Sequence, residues 1–355
     1  MAAFAQSLQS PQSLSAESES VMEGDRFRKL GGFLRGIFGA RVFKVGLRGG
    51  FTCPNRDGTA GAGGCSFCNP DSAMPLGYRD GMPLHEQLRE GCAYVARRHG
   101  AELFIAYFQD YSTTHGDVER LRGLLLEALS FPGVVGAALC TRPDCLGEAV
   151  LEMLSDLAKE HFLWVEIGVQ SSEDGVLIRA NRCHDAASSS EAFRRLQARG
   201  LLTSAHMIIG LPGSTRGSIP ADAAFVRDSG AAGIKLQNLH VVSGTRLEEE
   251  FRSGAFEPMT LDAYASAVVE FLELTDPAVV VQRVSGEAPR GLTVAPDWSV
   301  NKLAVVNAVQ RRMEEMDTWQ GRALGFPGSA LAGPPAALSA IPRNLADIAL
   351  KRLRE

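Results

Sequence analysis

The stretch that decides the fold reads Phe51-Thr-Cys-Pro-Asn-Arg-Asp-Gly-Thr-Ala-Gly-Ala-Gly-Gly-Cys-Ser-Phe-Cys-Asn69. It contains Cys53, Cys65 and Cys68 in the spacing Cys-x11-Cys-x2-Cys, with the aromatic Phe67 directly before the last cysteine. Three thiolates can hold a cubane iron–sulfur cluster by three irons and leave the fourth iron open to bind another molecule. The stretch therefore predicts a reactive cluster site.

A structural zinc site is the alternative reading of the same cysteines. Structural zinc is almost always bound by four Cys or His ligands. His85 or Cys92 could supply the fourth, but both lie beyond the loop on the next predicted helix. The pattern favours the cluster, and zinc stays open as the alternative.

Bulk composition is that of an ordinary globular chain. The 355 residues are 45% apolar and 22% charged, with a net charge of −5, which argues against a wholly basic nucleic-acid binder. Seven cysteines, clustered rather than evenly paired, suit metal chemistry in a reducing compartment. We therefore expect a cytoplasmic protein.

Both ends of the chain differ from its middle. Residues 1–25 are rich in serine and contain four acids and no Lys or Arg, which predicts a disordered tail rather than a targeting signal. Residues 323–342 hold no charge, but four prolines and three glycines interrupt them. We interpret 323–355 as a flexible linker with a short terminal helix and expect no membrane partner.

The middle of the chain alternates strand-like and helix-like segments. Predicted strands cover 42–47, 103–108, 134–141, 163–170, 203–210 and 232–240, and predicted helices cover 83–99, 117–130, 147–160, 185–199 and 218–229. Asp117 and Asp185 fit helix N-caps, and Gly200 and Gly230 fit helix ends. Six such repeats predict a parallel sheet, open or curled into a partial barrel.

Polar residues follow the predicted strands at the edge where barrel active sites lie. The second strand leads into Gln109, the fourth contains Glu166 and ends at Gln170, and the fifth contains His206 and ends at Gly210. Glu166 could instead pair with a core cation, and His206 could be a core histidine. Polar groups at all six strand ends favour a site.

Several motifs resemble those of the radical S-adenosylmethionine (SAM) superfamily. Gly-Val-Gln170 followed by Asn-Arg182 is similar to the oxygen-independent coproporphyrinogen oxidases and the Elongator catalytic subunit. A narrower resemblance is to the YhcC/YtqA family. It rests on seven motifs: Gly-Gly-Phe-Thr-Cys-Pro-Asn-Arg-Asp-Gly-Thr (49–59), Tyr-Phe-Gln (107–109), Thr-Arg-Pro-Asp-Cys (141–145), His-Met-Ile-Ile-Gly-Leu-Pro-Gly (206–213), Gly-Ile-Lys-Leu (233–236), Leu-His-Val (239–241) and Asp-Thr-Trp-Gln-Gly (317–321).

The resemblance implies a partial (β/α)6 TIM-like barrel over 26–258 with a small C-terminal α/β cap over 259–322. It also implies a [4Fe-4S] cluster on the three cysteines that cleaves SAM reductively, with an electron from ferredoxin or flavodoxin. Phe67 would pack beside the adenine, Gln170 and Arg182 would contact the ribose and carboxylate, and His206 would face the nucleoside. Gln109, Glu166 and Gly210 are further candidate cofactor contacts. 

Three features depart from the relatives. Relatives often have Gly at the positions of Cys140 and Cys183, and Cys140 also stands where Elongator-type proteins have a Glu. Any SAM contact made by that Glu is therefore in doubt. We expect no counterpart of the Elongator acetyltransferase domain, because too few residues follow the predicted barrel.

The substrate implied by the resemblance is tRNA, modified at the wobble uridine. Arg142, Asp144, Lys235 and His240 are candidate substrate contacts, and Cys145 could return a hydrogen atom to a product radical, although a buried structural thiol is the alternative. Residues 26–48 hold seven cations and four interleaved phenylalanines, which fit either RNA binding or an amphipathic helix. A non-catalytic zinc or cluster module, methyl transfer, porphyrin chemistry and a small-molecule substrate remain open.

Overall fold

The computed structural model describes residues 24–75, 77–286 and 291–335. The strands are β1 (Val42–Leu47), β2 (Leu103–Phe108), β3 (Val134–Thr141), β4 (Phe162–Gln170), β5 (Leu202–Ile209), β6 (Gly233–Asn238), β7 (Val241–Val242), β8 (Val280–Arg283) and β9 (Thr293–Ala295). The helices are α1 (Leu30–Phe38), α2 (Leu84–His99), α3 (Val118–Ser130), α4 (Glu148–Ala158), α5 (Asp174–Arg179), α6 (Ala186–Gln197), α7 (Ser218–Ser229), α8 (Arg246–Arg252), α9 (Leu261–Glu273) and α10 (Lys302–Glu315).

One parallel sheet organises the described chain. Its strands follow the order β1-β2-β3-β4-β5-β6-β8, while β7 and β9 form a separate antiparallel pair. Strands β1, β2 and β3 have the predicted bounds, and β4, β5 and β6 differ from theirs by no more than two residues. Asp117 and Asp185 cap α3 and α6 by accepting hydrogen bonds from backbone N–H groups three residues on. The predicted parallel α/β fold is confirmed.

The sheet has a seventh strand that the six-repeat prediction did not include. Strand β8 comes from the predicted cap segment and pairs in parallel with β6. Helix α9 forms the long connection that parallel neighbours require, and it packs beside α7 and α10 on the outer face. Part of the predicted cap therefore extends the sheet.

Helix α1 covers the lower end of the inner sheet face. Phe33, Leu34, Ile37 and Phe38 are buried there among inward-facing apolar residues of the strands, and the Phe33 ring meets Trp164 edge to face at 5.6 Å. The apolar stripe of α1 and the apolar strand residues beneath it bury each other's surface away from water. The base of the inner sheet face is consequently buried and apolar, whereas polar side chains line this face toward the carboxyl ends of the strands.

The basic segment 26–48 is built into this core. Phe27, Phe33 and Phe38 are buried, and Phe43 stacks on His99 with ring centroids 4.7 Å apart. The interpretation of these phenylalanines as base-stacking groups is therefore wrong. Phe33 and Phe38 lie on the buried face of α1, as the amphipathic-helix alternative predicts, whereas Phe27 precedes the helix and Phe43 lies in β1. Arg28 is fully buried as well, because backbone carbonyls accept its guanidinium hydrogen bonds.

The predictions for the chain ends fall mostly outside the described residues. Residues 1–23 of the predicted tail and the predicted terminal helix after 343 lie there. The described part of the predicted linker, 323–335, includes a 3-10 turn at Gly328–Ala332, and Leu331 is buried. Within the described ranges, no helix has the length and apolar character needed to cross a bilayer.

Candidate active site at the carboxyl edge of the sheet

The three-cysteine loop leaves β1 and folds as two tight turns. The Cys53 carbonyl accepts hydrogen bonds from the backbone N–H groups of Arg56 and Asp57, and the Cys65 carbonyl accepts one from Cys68. Gly64, at φ 78°, lies where an added Cβ would come within 2.8 Å of the Arg56 guanidinium. These turns bring all three thiols to the carboxyl end of the sheet.

Donors surround the thiol of Cys65. Arg182 Nη1 lies 3.2 Å and Asn55 Nδ2 3.6 Å from Cys65 Sγ. Burial raises the pKa of the Cys53 thiol, and burial together with the neighbouring Cys65 raises that of Cys68. Thiols in this state become metal ligands when the metal displaces their protons.

The spacing of the three sulfur atoms bears on which metal group fits. Among the described residues, the triad of ligand atoms lying within 4.8 Å of one another is Cys140, Glu166 and His206, and the loop cysteines do not form such a triad. Thiolates on one tetrahedral zinc sit about 3.8 Å apart, since Zn–S is about 2.3 Å. Thiolates held by separate irons of a cluster need no such close approach.

A cavity of ≈ 310 Å³ opens beside the loop. Its walls include eight of the predicted site residues: Phe67, Cys68, Gln109, Glu166, Gln170, Arg182, His206 and His240. Arg142, predicted as a substrate contact, also lines it. Residues distant in sequence are thus brought to one chamber between the cluster loop and the inner sheet face.

A bulge turns the end of β4 into this cavity. The pairing with β5 shifts register between Gly168 and Gln170, and Gln170 adopts φ 75°. Gln170 Oε1 is buried and has no hydrogen-bond donor among the described residues. Arg182 Nη2 donates to the Gly168 carbonyl at 2.6 Å, which fixes that guanidinium beside Gln170. A ligand hydroxyl could satisfy the amide oxygen.

The cavity floor is a buried charge network around Glu166. Its carboxylate accepts hydrogen bonds from Lys44 and Lys235, and His206 Nε2 lies 2.9 Å from Glu166 Oε2. Burial opposes ionisation of Glu166, but Lys235, Lys44 and His206 outweigh it and hold its pKa well below the usual range. The alternative interpretation of Glu166 as the partner of core cations is thus confirmed, although the residue also lines the cavity.

Burial in this network also lowers the pKa values of Lys235 and His206. Burial lowers the pKa of Lys235 to about 7 despite the carboxylate, and Lys44 adds to the lowering. Burial and Lys235 together lower the pKa of His206 to about 3. His206 is therefore a neutral imidazole at physiological pH, whereas Lys235 can gain or lose a proton there.

Tyr107 and Cys140 connect this network to the cavity and were not predicted as site residues. Tyr107 Oη lies 2.9 Å from Cys140 Sγ and accepts a hydrogen bond from Lys235 Nζ at 2.9 Å. Burial raises the pKa of the Cys140 thiol to about 12, so it keeps its proton. Inward alternation along β2 and β3 could have indicated both residues.

Cys145 and Gly210 are predicted site residues that lie outside the cavity walls. Cys145 is buried in the turn after β3, its Sγ 3.9 Å from Asp144 Oδ1, and Asp144 pairs with Arg142 at 2.8 Å. Its predicted role as a hydrogen donor stays a prediction. Gly210, at φ 92°, lines a separate ≈ 850 Å³ groove against α7 and α9, so the structure does not bring it to the candidate cofactor contacts.

Family profiles match most of the described chain. The profile for the Radical SAM superfamily matches residues 55–226, and that for the Radical_SAM C-terminal domain matches residues 231–315. The protein YtqA of Bacillus subtilis is 35% identical over 297 residues, which are 84% of this chain and 92% of YtqA.

Two further similarities are more distant. The tRNA uridine(34) acetyltransferase of Dehalococcoides mccartyi is 30% identical over 162 residues, covering 44% of this chain and 34% of that protein. A solved structure of Elp3 from the archaeon Methanocaldococcus infernus matches with a TM-score of 0.61 at 18% identity, over 79% of this chain and 64% of Elp3. At that identity the likeness shows a shared fold, and it confirms the predicted partial barrel.

Proposed function

The chain belongs to the radical SAM superfamily, as its motifs predict, and from this premise we propose the reaction it performs. It cleaves SAM reductively at a [4Fe-4S] cluster bound by Cys53, Cys65 and Cys68, and it abstracts hydrogen from a wobble uridine of tRNA. The observation that carries the proposal is the cavity that Cys68, Gln170, Arg182 and His206 line together.

Superfamily membership implies both SAM and a [4Fe-4S] cluster, and the loop fits the cluster. When bound, such a cluster supplies the electron that splits the sulfonium of SAM and yields a carbon radical. Cys53, Cys65 and Cys68 would hold three irons, and the N–H groups of Arg182 and Asn55 beside Cys65 would stabilise its thiolate. Hydrogen bonds to cluster sulfur are one of the means by which proteins set the cluster potential.

The polar walls would hold SAM. Gln170 Oε1 lacks a donor and would accept from a ribose hydroxyl. Arg182 and Arg142 each retain a buried guanidinium nitrogen without an acceptor among the described residues, so both can receive a carboxylate. His206, neutral at physiological pH, would face the nucleoside without adding charge beside the sulfonium.

The substrate side would involve Lys235 and His240. Lys235 donates to Tyr107 Oη at the cavity floor, and its pKa near 7 lets it donate or accept a proton in the reaction. The choice of tRNA is supported by the partial likeness to a tRNA uridine(34) acetyltransferase. A reduced ferredoxin or flavodoxin would supply the electron.

Anaerobic reconstitution tests the metal group. We expect four irons and four sulfides per chain in the wild type, and at least one iron fewer after Cys53→Ala, Cys65→Ala or Cys68→Ala, because each loses one ligand. Cys92→Ala changes a buried thiol of α2 and serves as the control that should keep four irons. Stoichiometric zinc with no deoxyadenosine formed on reduction would favour a non-catalytic module instead.

Nucleoside mass spectrometry of bulk tRNA tests the substrate. Cells lacking the gene should lose one modified uridine that the wild-type gene restores and a Cys68→Ala gene does not. An unchanged nucleoside profile, together with normal SAM cleavage by the purified protein, would redirect the proposal to a small-molecule substrate.

A further inference from the structure

Strand β8 contributes a cation to the cavity that sequence reasoning missed. Arg283 pairs in register with Lys235, and the pairing with β6 shifts between Ile234 and Lys235. Such an irregularity re-aims side chains. Gln282 therefore meets Lys44 and Ser204 on the inner face, while the next residue, Arg283, also lines the cavity.

Arg283 has no counter-charge in the part of the chain that the structure describes. Its Nε is buried without an acceptor among the described residues, and no described carboxylate forms an ion pair with it. The other cavity arginines have fixed partners, since Arg142 pairs with Asp144 and Arg182 binds the Gly168 carbonyl. Glu166, the carboxylate in the cavity wall, is already shared by Lys44, Lys235 and His206.

His240 supplies a second donor on the same side. Asn238 Oδ1 accepts a hydrogen bond from the Gly286 N–H at 3.0 Å, which turns its Nδ2 toward His240 Nδ1 at 3.2 Å. His240 Nδ1 is therefore an acceptor, and the ring proton resides on Nε2. His240 Nε2 is buried and has no acceptor in the described part of the chain.

Neither donor therefore has an acceptor among the described residues. Buried N–H groups are normally satisfied, and a group that carries a positive charge calls for an anion. Arg283 lies on β8 and His240 follows β6, whereas Gln170 and Arg182 follow β4. The two donors thus stand on the opposite side of the cavity from the residues assigned to SAM.

We propose that Arg283 and His240 form an anion subsite that receives a carboxylate or phosphate of the substrate. The proposal rests on the proposed function, because it assumes that SAM occupies the β4 side. Arg283 provides the charge and a fork of donors, and His240 Nε2–H provides a neutral donor that fixes the orientation of the anion. Arg283 is in this view a specificity-determining residue: a substrate without an anionic group binds weakly.

Titration of small anions tests the subsite without knowledge of the full substrate. The probes are inorganic phosphate and acetate, added to the reconstituted, SAM-loaded full chain and followed by anaerobic calorimetry. We expect at least one probe to bind, and to bind about tenfold or more weakly to Arg283→Gln. Arg227→Gln, which alters an arginine of α7 paired with Asp228, is the matched control and should bind like the wild type.

A spectroscopic measurement distinguishes a specific loss of anion binding from unfolding of the variant. The Nε2–H resonance of His240, assigned by its absence in His240→Phe, should shift when the anion binds to the wild type and stay unshifted in Arg283→Gln. Binding of phosphate alone identifies a phosphate-bearing substrate, and binding of acetate alone a carboxylate. Absence of binding by both, or equal binding by Arg283→Gln, would overturn the subsite.

The tRNA experiment separates this inference from the function it rests on. If Arg283→Gln restored the modified uridine as fully as the wild type, the subsite would fail while the tRNA assignment stood. If anions bound through Arg283 but tRNA were unchanged in cells lacking the gene, the tRNA assignment would fail while the subsite stood.

Discussion

The Glu166 carboxylate is the shared partner of the charged and polar side chains at the cavity floor. Two ammonium groups and an imidazole converge on this fully buried carboxylate. A buried charge is tolerated only when it is paired. If one partner is removed, the remaining buried charges are no longer compensated for their loss of hydration. Glu166 therefore stabilises the folded chain while it keeps Lys235 close to its titration point.

Glu166→Gln should lower the free energy of unfolding by roughly 3–5 kcal/mol, because Lys44 and Lys235 lose their shared counter-charge in a buried site. Urea unfolding under anaerobic conditions measures the change. The double variant Glu166→Gln/Lys235→Met should recover part of the loss. Glu152→Gln, on an exposed position of α4, should stay within about 0.5 kcal/mol of the wild type. Equal stability of Glu166→Gln and the wild type would contradict the pairing.

Among the elements, helix α7 holds the segment that carries Arg182. Its buried Asp222 accepts hydrogen bonds from the Ser172 N–H at 2.6 Å and the Ser172 hydroxyl at 2.7 Å, just after β4. This anchor fixes the start of α5, after which Asn181 and Cys183 adopt positive φ and place Arg182 against the cluster loop. An outer helix thus positions a residue of the cavity.

Asp222 should also make stability depend on pH. Burial raises the pKa of its carboxyl to about 6, above the ordinary value near 4, despite the hydrogen bonds from Ser172. Since the folded chain holds this proton more tightly, the contribution is full below pH ~4 and is lost as pH rises through ~6. The unfolding free energy of the wild type minus that of Asp222→Asn should fall by roughly 2–4 kcal/mol over this window. A flat difference in urea titrations would refute the assignment.

Across the whole molecule, the two ends of the described chain meet beside β8. The Arg28 carbonyl accepts a hydrogen bond from Val281 N–H, and the Arg28 N–H donates to Gln320 Oε1. The Arg28 guanidinium donates to the carbonyls of Leu331 and Gly333. These contacts cover the outer edge of the sheet, where unpaired backbone groups would otherwise be exposed.

Arg28→Met should lower the unfolding free energy by roughly 3–5 kcal/mol, because several buried carbonyls lose a charged donor at once. Differential scanning calorimetry and urea unfolding would measure it. Arg35→Met, on the exposed face of α1, is the matched control and should change stability by less than about 0.5 kcal/mol. If the two variants behaved alike, the buried guanidinium would not hold the chain ends together.

Local signals were sufficient for much of the architecture and for the reactive loop. Period-2 and period-3.6 patterns, with caps such as Asp117, depend on neighbours within a few residues, so strands and helices were predicted nearly to their ends. The Cys53–Cys65–Cys68 spacing and the Gln170 and Arg182 motifs belong to short segments as well. These features could be interpreted before any three-dimensional contact was known.

Other features depend on which distant segments meet, and no local pattern contains that information. Lys44, Glu166 and Lys235 come from three strands, and their mutual distances decide which group is charged. The register shift between β6 and β8 at Ile234 turns Arg283 toward the cavity. The turn after β3 buries Cys145 away from the cavity wall. Pairing, register and burial arise when the sheet assembles, because they depend on the free energy of the whole packed chain.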